Sequence, residues 1–519
     1  MRSFAKFQRK SISIWPQKER DFSVSMHNDS TTAAHIASSY DATPYTSVAF
    51  ALTSPAHLHA LAHMMGLPAV PLANARILEL GCASGGNLLP LAYRNPEASL
   101  VGIDLSPRQI ADGQRTASAL GINNLHLIAG SLADIDDSWG KFDYIIAHGV
   151  YSWVPPDVQA AVLRVCANNL SANGVAYVSY NTYPGWKSRE LVREAMLFRA
   201  QHRGGDVADR LNLGLGMVDF LAAHATSPWV KQSHAELQTT FKTADRSYIT
   251  HEFLELYNAP CYFHEFMARA NAAGLAYLCD SEVVSIYAVN IPAAVRQDLI
   301  NECGGSQVVL EQYMDFLNNR SFRQTLLVGA HRKPGYNTPP EAWQSLHYAC
   351  QLPPVDSTGS AASSYTSPRG AVFTPAHAWE HAAVQALNRA YPGSLGFNEL
   401  LHAARVVDAA VSDVAVAVFC ALLVQQLGIA PSSTPIVLAA RPSDAPPQAE
   451  AYVLECARLG DVQGFQSGHL TTARHIPIEL DAVYLALLAQ LDGTRRWTNV
   501  HNPDGLDVQV LYARGLMLC

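Results

Sequence analysis

Residues 75–87 read ARILELGCASGGN, a short apolar run that breaks into glycines just before an amphipathic stretch opens. A buried strand that passes at once into a helix must bend sharply, and glycine permits the backbone angles such a bend needs. Further short apolar runs fall at 99–104, 125–129, 142–147 and 174–180, with amphipathic stretches at 87–94 and 107–120. Short strands alternating with longer helices predict a parallel, doubly wound sheet, and so an α/β, Rossmann-like fold.

After Trp186 the strand rhythm stops. Residues 188–238 read as helices, 264–282 as helix, glycine and strand, and 322–331 as a last strand. The expected divisions are therefore a disordered tail (1–30), a ligand-binding α/β domain (31–187), and a helical insertion that completes the sheet (188–335). A Pro/Ser/Gly-rich linker (352–370) leads to an alanine-rich helical C-terminal domain (371–519), interrupted at 431–448.

Composition supports this division. The 519 residues, 49% hydrophobic and 15% charged, supply apolar material for more than one core. A formal net charge of -8 argues against a nucleic-acid surface, which carries a basic excess. The nine cysteines stand singly, without a C-x-x-C pair or metal-ligand spacing, and read as reduced thiols of a cytoplasmic protein that holds no metal. No apolar run approaches the ~20 residues needed to cross a bilayer, so no membrane insertion is expected. The basic start (Arg2, Lys6, Arg9, Lys10, Lys18, Arg20) lacks the apolar core of a secretory signal, and reads as a tail or as an extension ahead of Met26.

The glycine turn separates two ligands. A dinucleotide site wants G-x-G-x-x-G, with a pyrophosphate on the helix N-terminus. Here Ala83 stands where the middle glycine should be, and the pattern is E-x-G-x-x-x-G-G. S-adenosylmethionine has no phosphate, so the turn from Glu79 through Gly81, Cys82, Ala83 and Gly85 to Asn87 need only pass close to its methionine and ribose. Asp104, at the end of the second strand, can accept both ribose hydroxyls, with Leu105 beside it. Asp104 also reads as a helix cap, although Ser106 before Pro107 is the better one. Ser131 and Leu132 follow the third strand, at the expected adenine edge. His148, after the fourth, is read as a cofactor contact before a general base. Tyr45, in the loop YDATPYTS, could close over the ligand or simply pack.

The acceptor is expected at the ends of strands four and five, where open α/β sheets bind ligands. There the chain reads HGVYSW and NTYPGW. Methyl transfer needs an aligned nucleophile and little water. An amine acceptor must also lose its proton, helped by an apolar, aromatic pocket, and a developing methylammonium suits aromatic faces. Tyr183, Asn181 and Tyr151 are the expected acceptor-site residues, Asn181 accepting an amine N–H; packing of the insertion by Trp153, Tyr183 and Trp186 is the alternative. A small-molecule N- or O-acceptor, or a silent scaffold that binds the cofactor, also remain open. Residues 406–440 contain no Arg or Lys, which argues against a DNA-reading helix in the C-terminal domain.

The turn, Asp104 and the 130–132 segment together resemble class I S-adenosylmethionine-dependent methyltransferases over residues 75–185. The segments 251–282 and 311–327 resemble the methyltransferase regulatory domain that accompanies such enzymes in bacteria. With YDATPY in front, HGVYSWVPP in the middle, and RHIPIEL and LDGTR near the end, the layout is similar to rickettsial protein lysine methyltransferases. The resemblance implies methylation of lysines in a protein substrate, in that family a surface or outer-membrane protein met before export. It also implies inserted and C-terminal domains that dimerise and shape the substrate surface. The long basic N-terminus departs from the family.

Overall fold

The computed structural model describes residues 47–203, 207–255, 257–355, 364–440, 445–459, 469–502 and 505–518. The expectations for the tail, for Tyr45 and for the centre of the 352–370 linker lie outside them. Seven strands build one sheet: β1 (Arg76–Leu80), β2 (Ser99–Asp104), β3 (Leu125–Ala129), β4 (Phe142–Ala147), β5 (Leu170–Asn181), β6 (Leu275–Asp280) and β7 (Phe322–Gly329). Their order is β3-β2-β1-β4-β5-β7-β6. β1 to β5 are parallel, with Ile77 flanked by Leu100 and Tyr144. β7 runs antiparallel to both β5 and β6, so the sheet is parallel at its centre and mixed at one edge. An apolar run specifies a strand but not its direction.

From β1 the chain steps outward to β2 and β3, then returns to the other side for β4 and β5. The reversal opens a crevice at the carboxyl ends of β1 and β4, the place where such sheets bind ligands. After β2, Ser106 caps the helix Pro107–Ala119 by accepting from Gln109 N at 3.1 Å, with Pro107 at the first helical position. The cap is thus Ser106, and Asp104 ends the strand before it.

Between β5 and β6 lies a block of four helices, Trp186–Arg203, Val207–His224, Pro228–Thr243 and Arg246–Leu254, with its own core around Val192, Met196 and Phe253. Its entry and exit are stitched together. Cys261 N donates to Asn181 O (3.2 Å), while Tyr183 N and Thr182 Oγ1 donate to Cys261 O at 3.2 and 2.7 Å.

β7 carries Arg323, fully buried. Its guanidinium pairs with both oxygens of Asp315 (2.8 and 2.9 Å) and with Glu311 Oε2 (3.0 Å), and lies over the Phe263 ring. Burial pushes the Glu311 and Asp315 carboxyls up, and Arg323 pulls them back. A buried charge of this kind is tolerated only because it is paired.

The C-terminal helices Ala378–Ala390, Phe397–Val407 and Asp413–Gln425 share one apolar core with a face of the sheet, Leu387, Leu400 and Leu423 joining Ile77, Tyr144 and Tyr177. A short hairpin, His469–Thr471 paired with Pro477–Glu479, follows. No described helix is long and apolar enough to cross a membrane, and no group of three His, Cys, Asp or Glu among the described residues could hold a metal.

Candidate functional site

The turn after β1 is bent by three left-handed residues, Gly81 (φ 73°), Ala83 (φ 50°) and Gly85 (φ 77°). A Cβ on Gly81 would stand 2.5 Å from Val150 Cγ2, so only glycine lets the turn pass beneath the β4 loop. Cys82 is buried, its Sγ occupying the space a side chain at Gly102 would need. Gly81 and Cys82 hang from Ile103 O through their amides, at 2.8 and 3.1 Å, which ties the turn to β2.

Asp104 sits at the crevice. Its Oδ2 accepts from Ala83 N at 2.8 Å and its Oδ1 from Ser106 N at 2.9 Å. The two amides fix the orientation of this carboxylate beside the turn. Leu105 and Ser131 are half-buried along the same rim and Leu132 is buried beneath it. Ser131 Oγ accepts from Ala133 N at 3.2 Å, which closes the turn after β3.

His148, just after β4, lies tilted against Phe50 with ring centroids 3.8 Å apart. The Tyr177 hydroxyl donates to Gln324 Oε1 (2.8 Å), so Nδ1 of His148 supplies the hydrogen in its own 2.8 Å bond to that hydroxyl. Nε2 is then the ring's acceptor.

Beneath the turn, Asn87 Nδ2 donates to Glu79 Oε1 at 2.9 Å, while Asn87 Oδ1 receives Phe50 N and Thr53 Oγ1, both at 3.1 Å, and His475 Nε2 at 2.7 Å. Glu79 Oε2 is buried and has no partner among the described residues. Ser47 Oγ accepts from Gly86 N at 2.8 Å, so the chain at Ser47 lies on the turn. Ser47, Phe50 and Thr53 were not singled out from sequence as contacts of the turn, although YDATPYTS ends on Ser47.

These residues fit S-adenosylmethionine. The glycine cradle admits a ligand against the backbone, Asp104 presents its carboxylate beside that cradle, and the partnerless Glu79 oxygen, protonated in the cofactor-free protein, becomes an acceptor when a cationic amine enters.

The acceptor candidates are placed less uniformly. Asn181 is buried, its Nδ2 donating to Asn258 Oδ1 at 3.1 Å. Tyr183 is half-buried, its hydroxyl donating to the Glu190 carboxylate at 3.0–3.1 Å, and its ring lies 5.3 Å from Tyr262. Lys187 Nζ stands 4.2 Å over the Tyr183 ring and 5.8 Å from that of Tyr262. Burial, then Glu190, pushes the Tyr183 phenol up, so it stays protonated. Tyr151 has no exposed surface; it packs edge-on to Tyr180 and Phe266 and accepts from Arg269 Nη1 at 3.3 Å. That is a place in the core, not on a pocket wall. Trp153 and Trp186 meet edge to face where the helical block joins the sheet.

Burial sets the protonation of this region. It holds His148 down at about 4 and His475 at about 3, from an ordinary 6.5, and pushes Glu79 up from 4.5 to about 8. Below pH 6.5 the unfolded state binds protons at both histidines that the folded state refuses, so stability falls as pH drops from 6.5 toward 4. Glu79 acts oppositely: the folded state holds its proton between 4.5 and 8, so stability falls as pH rises through that window. The melting temperature of the cofactor-free protein is expected to peak near pH 6.5 and decline on both sides. A steady rise to pH 9 would contradict this account.

Comparison with known proteins follows the same lines. Residues 78–176 match the family described as "Methyltransferase domain", and residues 245–329 the family described as "Predicted methyltransferase regulatory domain". The uncharacterized protein RP789 of Rickettsia prowazekii is 43% identical over 293 residues, 56% of this chain and 52% of its own, so the chain spans about half of that relative. The uncharacterized protein RP028 of the same organism is 39% identical over 234 residues, 45% of this chain and 93% of its own. Among solved structures, PKMT2 from Rickettsia typhi in complex with AdoHcy is similar with a TM-score of 0.75 and 26% identity, over 87% of this chain and 89% of that one.

Proposed function

We propose that this chain, which belongs to the S-adenosylmethionine-dependent methyltransferases carrying a methyltransferase regulatory domain, methylates lysine side chains of a protein substrate. The supporting observation is the end of β5, where a lysine end group already lies over the rings of Tyr183 and Tyr262. An acceptor lysine entering there would meet the same aromatic faces, which favour a cation and, after transfer, a methylammonium. The likeness to PKMT2 points the same way.

When bound, the cofactor supplies a sulfonium methyl group open to in-line displacement by an unprotonated amine. The chain's residues do the rest. The turn and Asp104 hold the nucleoside. Tyr183, Tyr262 and the buried walls around Asn181 exclude water, which lowers the pKa of an entering amine from its reference of ~10.4. With its Nδ2 committed to Asn258, Asn181 turns an oxygen to accept an amine N–H and aim the lone pair. His148, neutral with Nε2 as acceptor, lines the cofactor side.

Tyr183→Ala is expected to leave S-adenosylhomocysteine affinity within about twofold while lowering kcat roughly a hundredfold, the scale of a misplaced nucleophile. Calorimetry and turnover measured side by side would check it, and equal loss of both would mark Tyr183 as packing only. The acceptor class is tested by incubating the enzyme with tritiated S-adenosylmethionine and cell lysate. Label is expected on lysines of protein, located by mass spectrometry. Label confined to the low-molecular-weight fraction would overturn the protein reading.

A further inference from the structure

We propose that the C-terminal region completes the cofactor site, with His475 as a positioning residue that acts through Asn87. The hairpin that carries it is anchored beside the cofactor turn. Arg94, in the last turn of the helix Leu89–Arg94 that leads away from the glycines, donates to Thr471 O at 2.6 Å and pairs with Glu450 at 2.8 Å. The hairpin tip closes by His475 N to Thr472 O (2.9 Å) and Thr472 N to Ile476 O (3.0 Å). His475 is held left-handed (φ 59°), a conformation unusual for a side chain of this size, and is 3% exposed. Its ring points inward.

The bond it makes is directional. Phe50 N can only donate, so the Asn87 atom it meets is the carbonyl oxygen, and His475 must present Nε2–H to that same oxygen. With its oxygen held by donors, the amide of Asn87 can turn only its nitrogen to Glu79 Oε1. Glu79 is thereby oriented with Oε2 bare at the turn. The relay runs from hairpin to amide to carboxyl. Removing the His475 donor leaves the Asn87 oxygen to Phe50 N and Thr53 Oγ1, both at 3.1 Å, and so loosens the amide and the Glu79 carboxyl it positions. Nothing in this relay depends on which acceptor is methylated.

The test uses the full chain and S-adenosylhomocysteine titrations by calorimetry, so it stands whatever the acceptor proves to be. His475→Leu removes the donor, whereas His475→Gln carries an N–H with a reach similar to Nε2; both bear comparable left-handed strain. The leucine variant is expected to bind roughly tenfold more weakly, the scale of one buried hydrogen bond and its orphaned partner. The glutamine variant should recover most of that loss. Introduced into Asn87→Ala, His475→Leu should have no further effect, because the two act as one unit. If the leucine protein does not fold, His475→Asn, which tolerates the left-handed backbone but is too short to reach Asn87, takes its place. Unchanged affinity with only a lower melting temperature, equal loss in the leucine and glutamine variants, or effects that multiply in the double variant would each overturn the proposal.

Discussion

Asp104→Ala is expected to abolish measurable binding of S-adenosylhomocysteine while the protein stays folded. Hydrogen bonds to a charged group contribute about 1.5–3 kcal/mol each. Two ribose hydroxyls lost together therefore weaken binding by at least about a hundredfold. The same carboxylate receives Ala83 N and Ser106 N, so its removal also loosens the left-handed corner of the turn. Helix Pro107–Ala119 keeps its own cap at Ser106, which limits the damage to stability. Asp104→Asn should fall between, since one acceptor oxygen and the side-chain shape survive without the charge. Calorimetry with a thermal melt on the same samples separates the effects. Wild-type affinity in the alanine variant would remove Asp104 from the site.

Arg323→Met is expected to destabilise the fold by about 3–5 kcal/mol, the cost of leaving buried charge without its partner. Methionine fills similar volume, so the loss is chiefly electrostatic. Without the guanidinium, Glu311 and Asp315 are left to the burial that already raises them, and they take up protons in the folded state. The folded variant then binds more protons than the unfolded chain, so its stability falls further as pH rises. The gap to wild type should be wider at pH 7 than at pH 5 in urea titrations. A loss below about 1 kcal/mol at pH 7 would show that the cluster is not the keystone of the β6–β7 edge.

The sheet and the turn were legible because they are written locally. An apolar run such as RILEL, followed by glycines and then a short helix, specifies its own geometry from neighbouring residues. The reversal of β7 was not, since FRQTLLVG reads as a strand in either direction and the chain's route decides. Glu190 and Lys187 sit on the helix that follows Tyr183, within seven residues of it, but spacing did not reveal that they would close on its ring and hydroxyl. Tyr262, Asn258 and Cys261 return to that corner only after the four-helix block. His475 lies 388 residues from Asn87, and RHIPIEL stood out only through resemblance. Contacts made by folding at such separations leave no periodicity in one sequence. Tyr151 shows the reverse case: an aromatic in the right loop whose ring the fold turns into the core.

The stitched junction at Cys261 has a mechanical consequence. Because both chain crossings of the four-helix block meet at one point beyond β5, the block resembles a cassette held at a single splice site. A change in the length or packing of the block would be absorbed at that junction, leaving the glycine turn on the far side of β4 where it is.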